Sequence, residues 1–226
     1  MKVEVIQTTD GSSSLFVPEL NETYHSTHGA LTESNHVFIK NGLDYYIKTN
    51  QPDSIRILEI GFGTGLNALL TADFEEHNST KIIYHTLEAY PLEEEIIKSL
   101  NYPQLVGKEN SKELFQNIHQ ADWEVESPIT ANFSIQKMHT TLDGFQAKEK
   151  YDIIYFDAFA PSKQPEMWDL AVFEKLYSMM NANAILVTYC AQGQFKRNLK
   201  SVGFEVESLP GPPRKFEMVR ATKHTD

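Results

Sequence analysis

An α/β fold built on a mostly parallel sheet is predicted by three features of the sequence. From Ile55 the pattern alternates strand, helix, strand, helix: "IRILEI", "GLNALLTADFEEH", "KIIYHTLEA", "PLEEEIIKSL". From Tyr151 it alternates again: "YDIIYFD", "PEMWDLAVFEKLYSMM", "AILVTYC", "GQFKRNLKSV". Between the first strand and the first helix lies the glycine-rich turn "LEIGFGTGLNALL". Such alternation implies parallel strands joined by helical crossovers.

The remaining elements follow in chain order. "MKVEVIQT" and "SLFVPEL", on either side of "TDGS", predict an N-terminal β-hairpin that turns at Asp10-Gly11. In "GALTESNHVFIKNGLDYYIKT" the helical spacing of Val37, Phe38, Leu43, Tyr46 and Ile47 predicts a helix or helix pair leading into the core. Between Asn101 and Phe133 the pattern gives a helix at "SKELFQNIHQ" and a strand pair through "WEVES" and "NFSIQKMHT". At the C-terminal end, "FEVESL" and "KFEMVRA" are separated only by "PGPPR", too short for a helical crossover, so they are predicted to pair antiparallel. The expected organisation is a hairpin and helical extension over residues 1–50 and a core domain over 51–226, forming one compact unit.

Composition sets limits on function. With 226 residues, 41% of them hydrophobic and 23% charged, the chain is long enough for one α/β domain and unlike a disordered one. No apolar run of eighteen residues occurs, and the N-terminus lacks a basic segment followed by an apolar one, so a cytoplasmic protein with no membrane contact is expected. The single Cys190, inside "AILVTYC", is expected to be a buried small residue, and no metal site is predicted. A net charge of −11 argues against indiscriminate nucleic-acid binding. The charge is uneven, however: residues 191–223 carry a local +4, leaving −15 on the rest.

The glycine turn follows a strand and opens a helix, the setting of a nucleotide site. Its spacing fits neither a dinucleotide fingerprint, because position 66 is Leu, nor a P-loop, because Leu66-Asn67 follows Gly65. Glu59, two residues before the loop, would repel a pyrophosphate at the helix N-terminus and favour a cation. S-adenosylmethionine carries an ammonium and a sulfonium and no phosphate. The loop therefore suits it, with Glu59, Gly61, Phe62, Gly63, Thr64, Gly65 and Asn67 as the cradle. Glu88 ends the second strand at the distance where an acid accepts both hydrogen bonds of a ribose diol. Thr140, in "KMHTTLDGF", is the candidate adenine contact. Together these readings predict a Rossmann-like class I S-adenosylmethionine-dependent methyltransferase fold: a mostly parallel sheet with an antiparallel C-terminal strand, an N-terminal β-hairpin and a helix extension.

The loop, "YHSTHGALTESNHVFI", "DAFAPSKQPEMW" and "GPPRKFEMVRA" together resemble the methyltransferase domain of MnmC-type tRNA-modifying enzymes over most of the chain. The resemblance implies transfer of a methyl group from S-adenosylmethionine to the amine of 5-aminomethyl-2-thiouridine at the tRNA wobble position. Bifunctional members carry a flavin-dependent oxidoreductase domain as well. The 226 residues here hold only the methyltransferase pattern, so a separate FAD-dependent oxidoreductase is an expected partner.

Asp157 ends a strand expected to lie beside the glycine-loop strand, at the edge where open α/β sheets bind ligands. An Asp at a strand end is commonly a helix cap, but the next helix is expected to begin near Pro165, too far along for a cap at 157. Asp157 is accordingly the candidate catalytic base for the amine. Phe159 is a candidate to stack on the uracil, and Pro161 and Pro165 would stiffen the loop. Lys163, Lys196, Arg197, Lys200, Arg214 and Lys215 are candidate phosphate contacts around the anticodon loop. Tyr24, Ser26, His28 and Glu33 are candidates to close over the pocket. Two other functions remain open at this level: a small-molecule amine methyltransferase or aminopropyltransferase, and a non-catalytic RNA-binding scaffold.

Overall fold

The computed structural model describes residues 2–75 and 79–224. The N-terminal hairpin forms with β1 (Glu4–Gln7) antiparallel to β2 (Ser13–Val17), and a two-residue β3 (Glu22–Thr23) makes it a three-stranded sheet. Asp10 does more than turn the chain. Its Oδ2 accepts from the Thr32 backbone N–H at 2.9 Å, which ties the turn to the following helix.

That helix is one continuous run with a change of winding. It starts as α1 (Ala30–Ser34), widens into a π-helical stretch (Asn35–Asp44), and ends as α2 (Tyr45–Asn50). Val37, Phe38 and Leu43 lie buried in the same core cluster as Ile57, Tyr84 and Tyr155 of the main sheet. The helix thus covers one sheet face, and the apolar spacing read from the sequence reflects this burial.

The main sheet runs β10-β11-β9-β8-β4-β5-β7-β6. Its parallel core is β9 (Met180–Thr188), β8 (Tyr151–Phe156), β4 (Ser54–Ile60), β5 (Lys81–Leu87) and β7 (Phe133–Met138). At one edge β11 (Glu217–Thr222) pairs antiparallel with β9, and β10 (Glu205–Pro210) with β11. At the other edge β6 (Ser127–Pro128) pairs antiparallel with β7. The chain leaves β4 towards β5 and β7, then returns to β8 and β9 on the opposite side. The strand order therefore reverses between β4 and β8, the kind of crevice where ligands bind in this architecture.

Both faces of the sheet are covered, which explains the continuous apolar runs of its strands. On one face, the 30–50 helix, α3 (Leu66–Glu75) and α6 (Ser111–Gln120) pack on Ile57, Tyr84 and Tyr155. On the other, α7 (Leu170–Ser178) and α8 (Gly193–Val202) pack on Leu58, Ile154 and Phe156. The short helices α4 (Glu94–Ser99) and α5 (Tyr102–Val106) link β5 to α6.

Several boundaries differ from the sequence reading. The run "PEMWDLAVFEKLYSMM" is not one helix: a 3-10 turn (Pro165–Trp168) precedes α7, and Asp169 between them is extended at φ −73°, ψ 155°. Met180 already belongs to β9. "WEVES" contributes only an isolated bridge from Trp123 to Lys137 and the start of β6. Phe216, read as part of the last strand, lies before β11. Glu76 and His77, read as the end of the glycine-loop helix, lie outside the described residues, as does Met1. Among the described residues no helix is long and apolar enough to cross a membrane, and no group of three or more His, Cys, Asp or Glu side chains could hold a metal ion.

Candidate active site

Side chains alternate across the sheet with a period of two. Ile57, Ile153 and Tyr155 all face the side covered by α3 and the 30–50 helix. Two residues further along each strand, the same alternation directs Glu59 of β4 and Asp157, just past β8, to that side. Asp157 donates its backbone N–H to Ile60 O at 3.2 Å, keeping the strand ends together.

The loop between β4 and α3 turns sharply. Gly61, Gly63 and Gly65 have φ of 93°, 51° and 72°, a region that L side chains rarely adopt. Gly61 and Phe62 both donate their N–H to Leu87 O at 3.0 Å, pinning the loop to the end of β5. The Phe62 ring turns into the core against His119 and Trp123, so the Phe62 side chain supports the loop from beneath. Thr64 is buried with no hydrogen-bond partner for Oγ1.

Glu59 has no exposed surface. Its Oε2 accepts from Thr86 Oγ1 at 2.7 Å, while Oε1 has no partner at hydrogen-bonding geometry, although Asn67 and Tyr84 flank it. Burial, aided by the Asp157 charge and opposed by the Thr86 hydrogen bond, pushes the Glu59 carboxyl up to about 8. Without a cation nearby the group is protonated at neutral pH, and a cation above the loop favours its ionised form.

Glu88 is held in place from both sides: its Oε2 accepts from Gly63 N at 2.8 Å and its Oε1 from Tyr90 N at 2.8 Å. Each oxygen keeps a lone pair for a further donor such as a ribose hydroxyl. Thr140 lies just past β7, at the same edge, with its hydroxyl turned to Thr141 O at 3.3 Å. The orphaned Glu59 oxygen below the loop, the positive-φ glycines and the anchored Glu88 fit S-adenosylmethionine. Glu59 would favour its positive charge, and Glu88 would hold its ribose.

Asp157 sits beside this cradle, partly accessible. Asn67, early in α3, donates from Nδ2 to Asp157 Oδ2 at 2.9 Å. Burial first, then the Glu33 charge, raise the Asp157 carboxyl to about 7, with the Asn67 hydrogen bond and Lys215 pulling the other way. The carboxylate therefore changes charge near neutral pH, as a proton acceptor for an amine requires.

The stretch before the long helix closes over this point. The Tyr24 ring lies 3.2 Å from where a side chain on Gly63 would begin, and it meets Phe159 edge to face at 5.3 Å. Glu33 accepts the Ser26 N–H at 3.2 Å and forms an ion pair with Lys215. His28 Nδ1 meets Arg214 Nη1 at 3.5 Å. These contacts bring Tyr24, Ser26, His28 and Glu33 together with the β10–β11 connection, above the end of β8.

The predicted cations divide into groups. Lys215 is ion-paired inside the site rather than displayed to solvent, and Lys163 lies in the turn after Asp157, its N–H bound to Ala160 O. Lys196, Arg197 and Lys200 line a surface groove of about 280 Å³ with Val206 and Ser208, and Lys196 also pairs with Glu217 at 2.9 Å. Pro161 is half-buried in the Asp157 loop. A larger cavity of about 360 Å³, lined by Lys148, Lys150 and Lys175, lies at the opposite sheet edge, where β8 begins.

Sequence reasoning missed Tyr189. Its hydroxyl donates to Ala158 O at 2.8 Å, bracing the Asp157 loop, and its ring carries Lys215 Nζ at 4.3 Å from the centroid. Its position just past β9, beside the strand of Asp157, was the available signal.

Comparison with known proteins identifies the family and the fold. A protein MnmC of Leptospira interrogans, described as "tRNA 5-methylaminomethyl-2-thiouridine biosynthesis bifunctional protein", is 34% identical over 215 residues, covering 89% of this chain and 32% of its own length. The protein of the same description from Methylobacillus flagellatus is 30% identical over 210 residues, 88% of this chain and 32% of its own. The chain thus spans about a third of the length of these curated relatives. The crystal structure of MNMC2 from Aquifex Aeolicus superposes with a TM-score of 0.80 at 21% identity, over 100% of this chain and 73% of that one, which establishes the shared fold. DesVI of Streptomyces venezuelae superposes at 0.51 with 10% identity, over 85% of this chain and 91% of that one. Residues 106–224, more than half of the chain, match a family model described as S-adenosyl-L-methionine-dependent methyltransferase. The chain belongs to that family of S-adenosyl-L-methionine-dependent methyltransferases.

Proposed function

We propose that this methyltransferase acts in the cytoplasm on the wobble uridine of tRNA, converting 5-aminomethyl-2-thiouridine to 5-methylaminomethyl-2-thiouridine. On this reading the anticodon loop is the docking partner, and an FAD-dependent oxidoreductase performs the preceding step where the amine is made from a carboxymethylated precursor. The names of the relatives support the substrate. The observation that carries the chemistry is Asp157, held by Asn67 beside the glycine loop and poised to change charge near neutrality.

S-adenosylmethionine supplies a methyl group on a sulfonium, open to in-line attack. The attacking nitrogen must be neutral, whereas an alkylamine in water has a pKa of roughly 10, by analogy with lysine. Asp157 accepts a hydrogen bond from the amine through the oxygen not committed to Asn67 and aims the nitrogen lone pair. With S-adenosylmethionine bound, the new N–C bond would form as the methyl–sulfur bond breaks and the pair stays on sulfur as the thioether, and the carboxylate would take the proton that the nitrogen releases. Such a base contributes ~10²–10⁴-fold, and alignment contributes as much again. Phe159 offers its ring to the uracil face, with Tyr24 against it at 88° to fix its tilt.

Nucleoside analysis of tRNA from a deletion strain tests this. Accumulated 5-aminomethyl-2-thiouridine is the expected result; an unchanged profile would overturn it and point to a metabolite amine.

A further inference from the structure

The loop between β10 and β11 holds a side chain that the chemistry above does not use. Phe216 is 99% exposed, the most exposed of the large apolar side chains described. Leaving a phenylalanine wholly in water forfeits the stabilisation that its burial would bring. The loop is nevertheless built to hold it there. Phe216 O accepts the Gly211 N–H at 3.1 Å and Lys215 N–H donates to Pro212 O at 2.9 Å, closing a tight turn that contains Pro212 and Pro213. Arg214 takes a left-handed φ of 69°, and His36 Nε2 meets Pro210 O at 2.8 Å, anchoring the turn to the long helix. Lys215 is fastened to Glu33 and lies over Tyr189.

The position is equally defined. β11 runs antiparallel to β9, with Val219 opposite Thr188, so the turn before β11 stands at the sheet edge where β8 and β9 end. Lys215, the residue before Phe216, is close enough to Asp157 to lower its pKa. The exposed ring is therefore on the rim of the acceptor site. In the chain it lies two residues after the exposed Arg214 and directly before Glu217, which is ion-paired with Lys196 of α8. A solvent-facing aromatic on a hydrogen-bonded turn that also carries an exposed arginine has the composition of a single-stranded nucleic-acid stacking platform. A protein partner would ask for a wider apolar patch.

We propose that Phe216 stacks on an unpaired nucleobase flanking the modified one, holding the anticodon loop open while the target base enters. This rests on the tRNA reading above and adds the residue that separates an RNA acceptor from a free amine.

The test compares wild type, Phe216→Ala, Phe216→Leu and Phe216→Trp for binding of an anticodon stem-loop RNA and for methylation of undermethylated tRNA. Stacking predicts roughly 5- to 100-fold weaker stem-loop binding for Ala and Leu, seen as a rise in KM more than a fall in kcat, with Trp restoring the affinity. Binding of RNA should also quench the Phe216→Trp emission relative to its free state. Equal affinity in Phe216→Ala and wild type, or Leu performing as well as Trp, would overturn the inference while leaving the tRNA reading intact. Normal RNA binding by wild type without methyl transfer would instead count against the tRNA reading alone. Because the ring is solvent-exposed, an unchanged melting temperature verifies that each variant folds.

Discussion

Asn67 and Asp157 lie 90 residues apart in the chain and meet through one hydrogen bond, Nδ2 to Oδ2 at 2.9 Å. The helix that opens from the glycine loop thereby orients the group facing the acceptor. Asn67→Ala removes the donor that favours the ionised carboxylate, so the Asp157 pKa should rise further and kcat should fall by about tenfold or more. Single-turnover rates across pH, fitted for the midpoint, would register both; an unmoved midpoint would argue that the bond has no electrostatic role.

Asp157→Ala should reduce methyl transfer by ~10²–10⁴-fold while S-adenosylmethionine affinity stays close to wild type. Isothermal titration with the cofactor alongside an activity assay separates the two quantities. Near-normal turnover would remove Asp157 from the mechanism.

On the proposed mechanism the working form of Asp157 is the carboxylate, and its pKa is raised to about 7, so activity should climb as pH rises through that value. Glu33 is one of the groups that raise it and Lys215 one that lowers it. Glu33→Gln should move the rising limb to lower pH, and Lys215→Met should move it to higher pH. Opposite displacement, or none, would mean that the ion pair above the site does not set the charge of the base.

Glu59 predicts the pH dependence of stability. Its folded pKa of about 8 lies above the ordinary value of 4.5, so the folded chain holds a proton that the unfolded chain releases. The resulting stabilisation is complete below 4.5 and lost as pH rises to about 8, and Asp157 adds to it in the same direction. The protein without cofactor should therefore melt at a lower temperature at about pH 8 than at about pH 6. Glu59→Gln, which keeps a partner for Thr86, should flatten most of that slope; an equally steep slope in the variant would place the effect elsewhere.

The parallel core was legible in the sequence because both faces of β4, β5, β8 and β9 are covered, leaving unbroken apolar runs next to turn residues. Within residues 101–133 the helix at "SKELFQNIHQ" was legible and forms as α6, but the elements around it were not. α5 and β6 are too short to carry a period and are held by distant partners, such as Tyr102, whose hydroxyl donates to Ser13 O at 2.9 Å. The split before α7 turns on one extended residue, Asp169, which propensity does not mark as a break. At the site, Glu59, the glycines and Asp157 announced themselves by standing at strand ends. The Glu33–Lys215 pair joins residues 182 apart, and no local pattern encodes such a meeting.

A side chain on Gly61 would begin 3.1 Å from the backbone oxygen of Asp157, so on the proposed mechanism the methyl-donor cradle and the acceptor clamp share a wall one backbone thick. For anyone redirecting this enzyme to a new amine, that wall is the part to leave alone, since widening either compartment there distorts the other. The replaceable surfaces are Phe159 and the turn that carries Phe216, whereas the Tyr24 ring also lies against Gly63 of the glycine loop. A library confined to them should change which amine is methylated while the donor compartment keeps its shape.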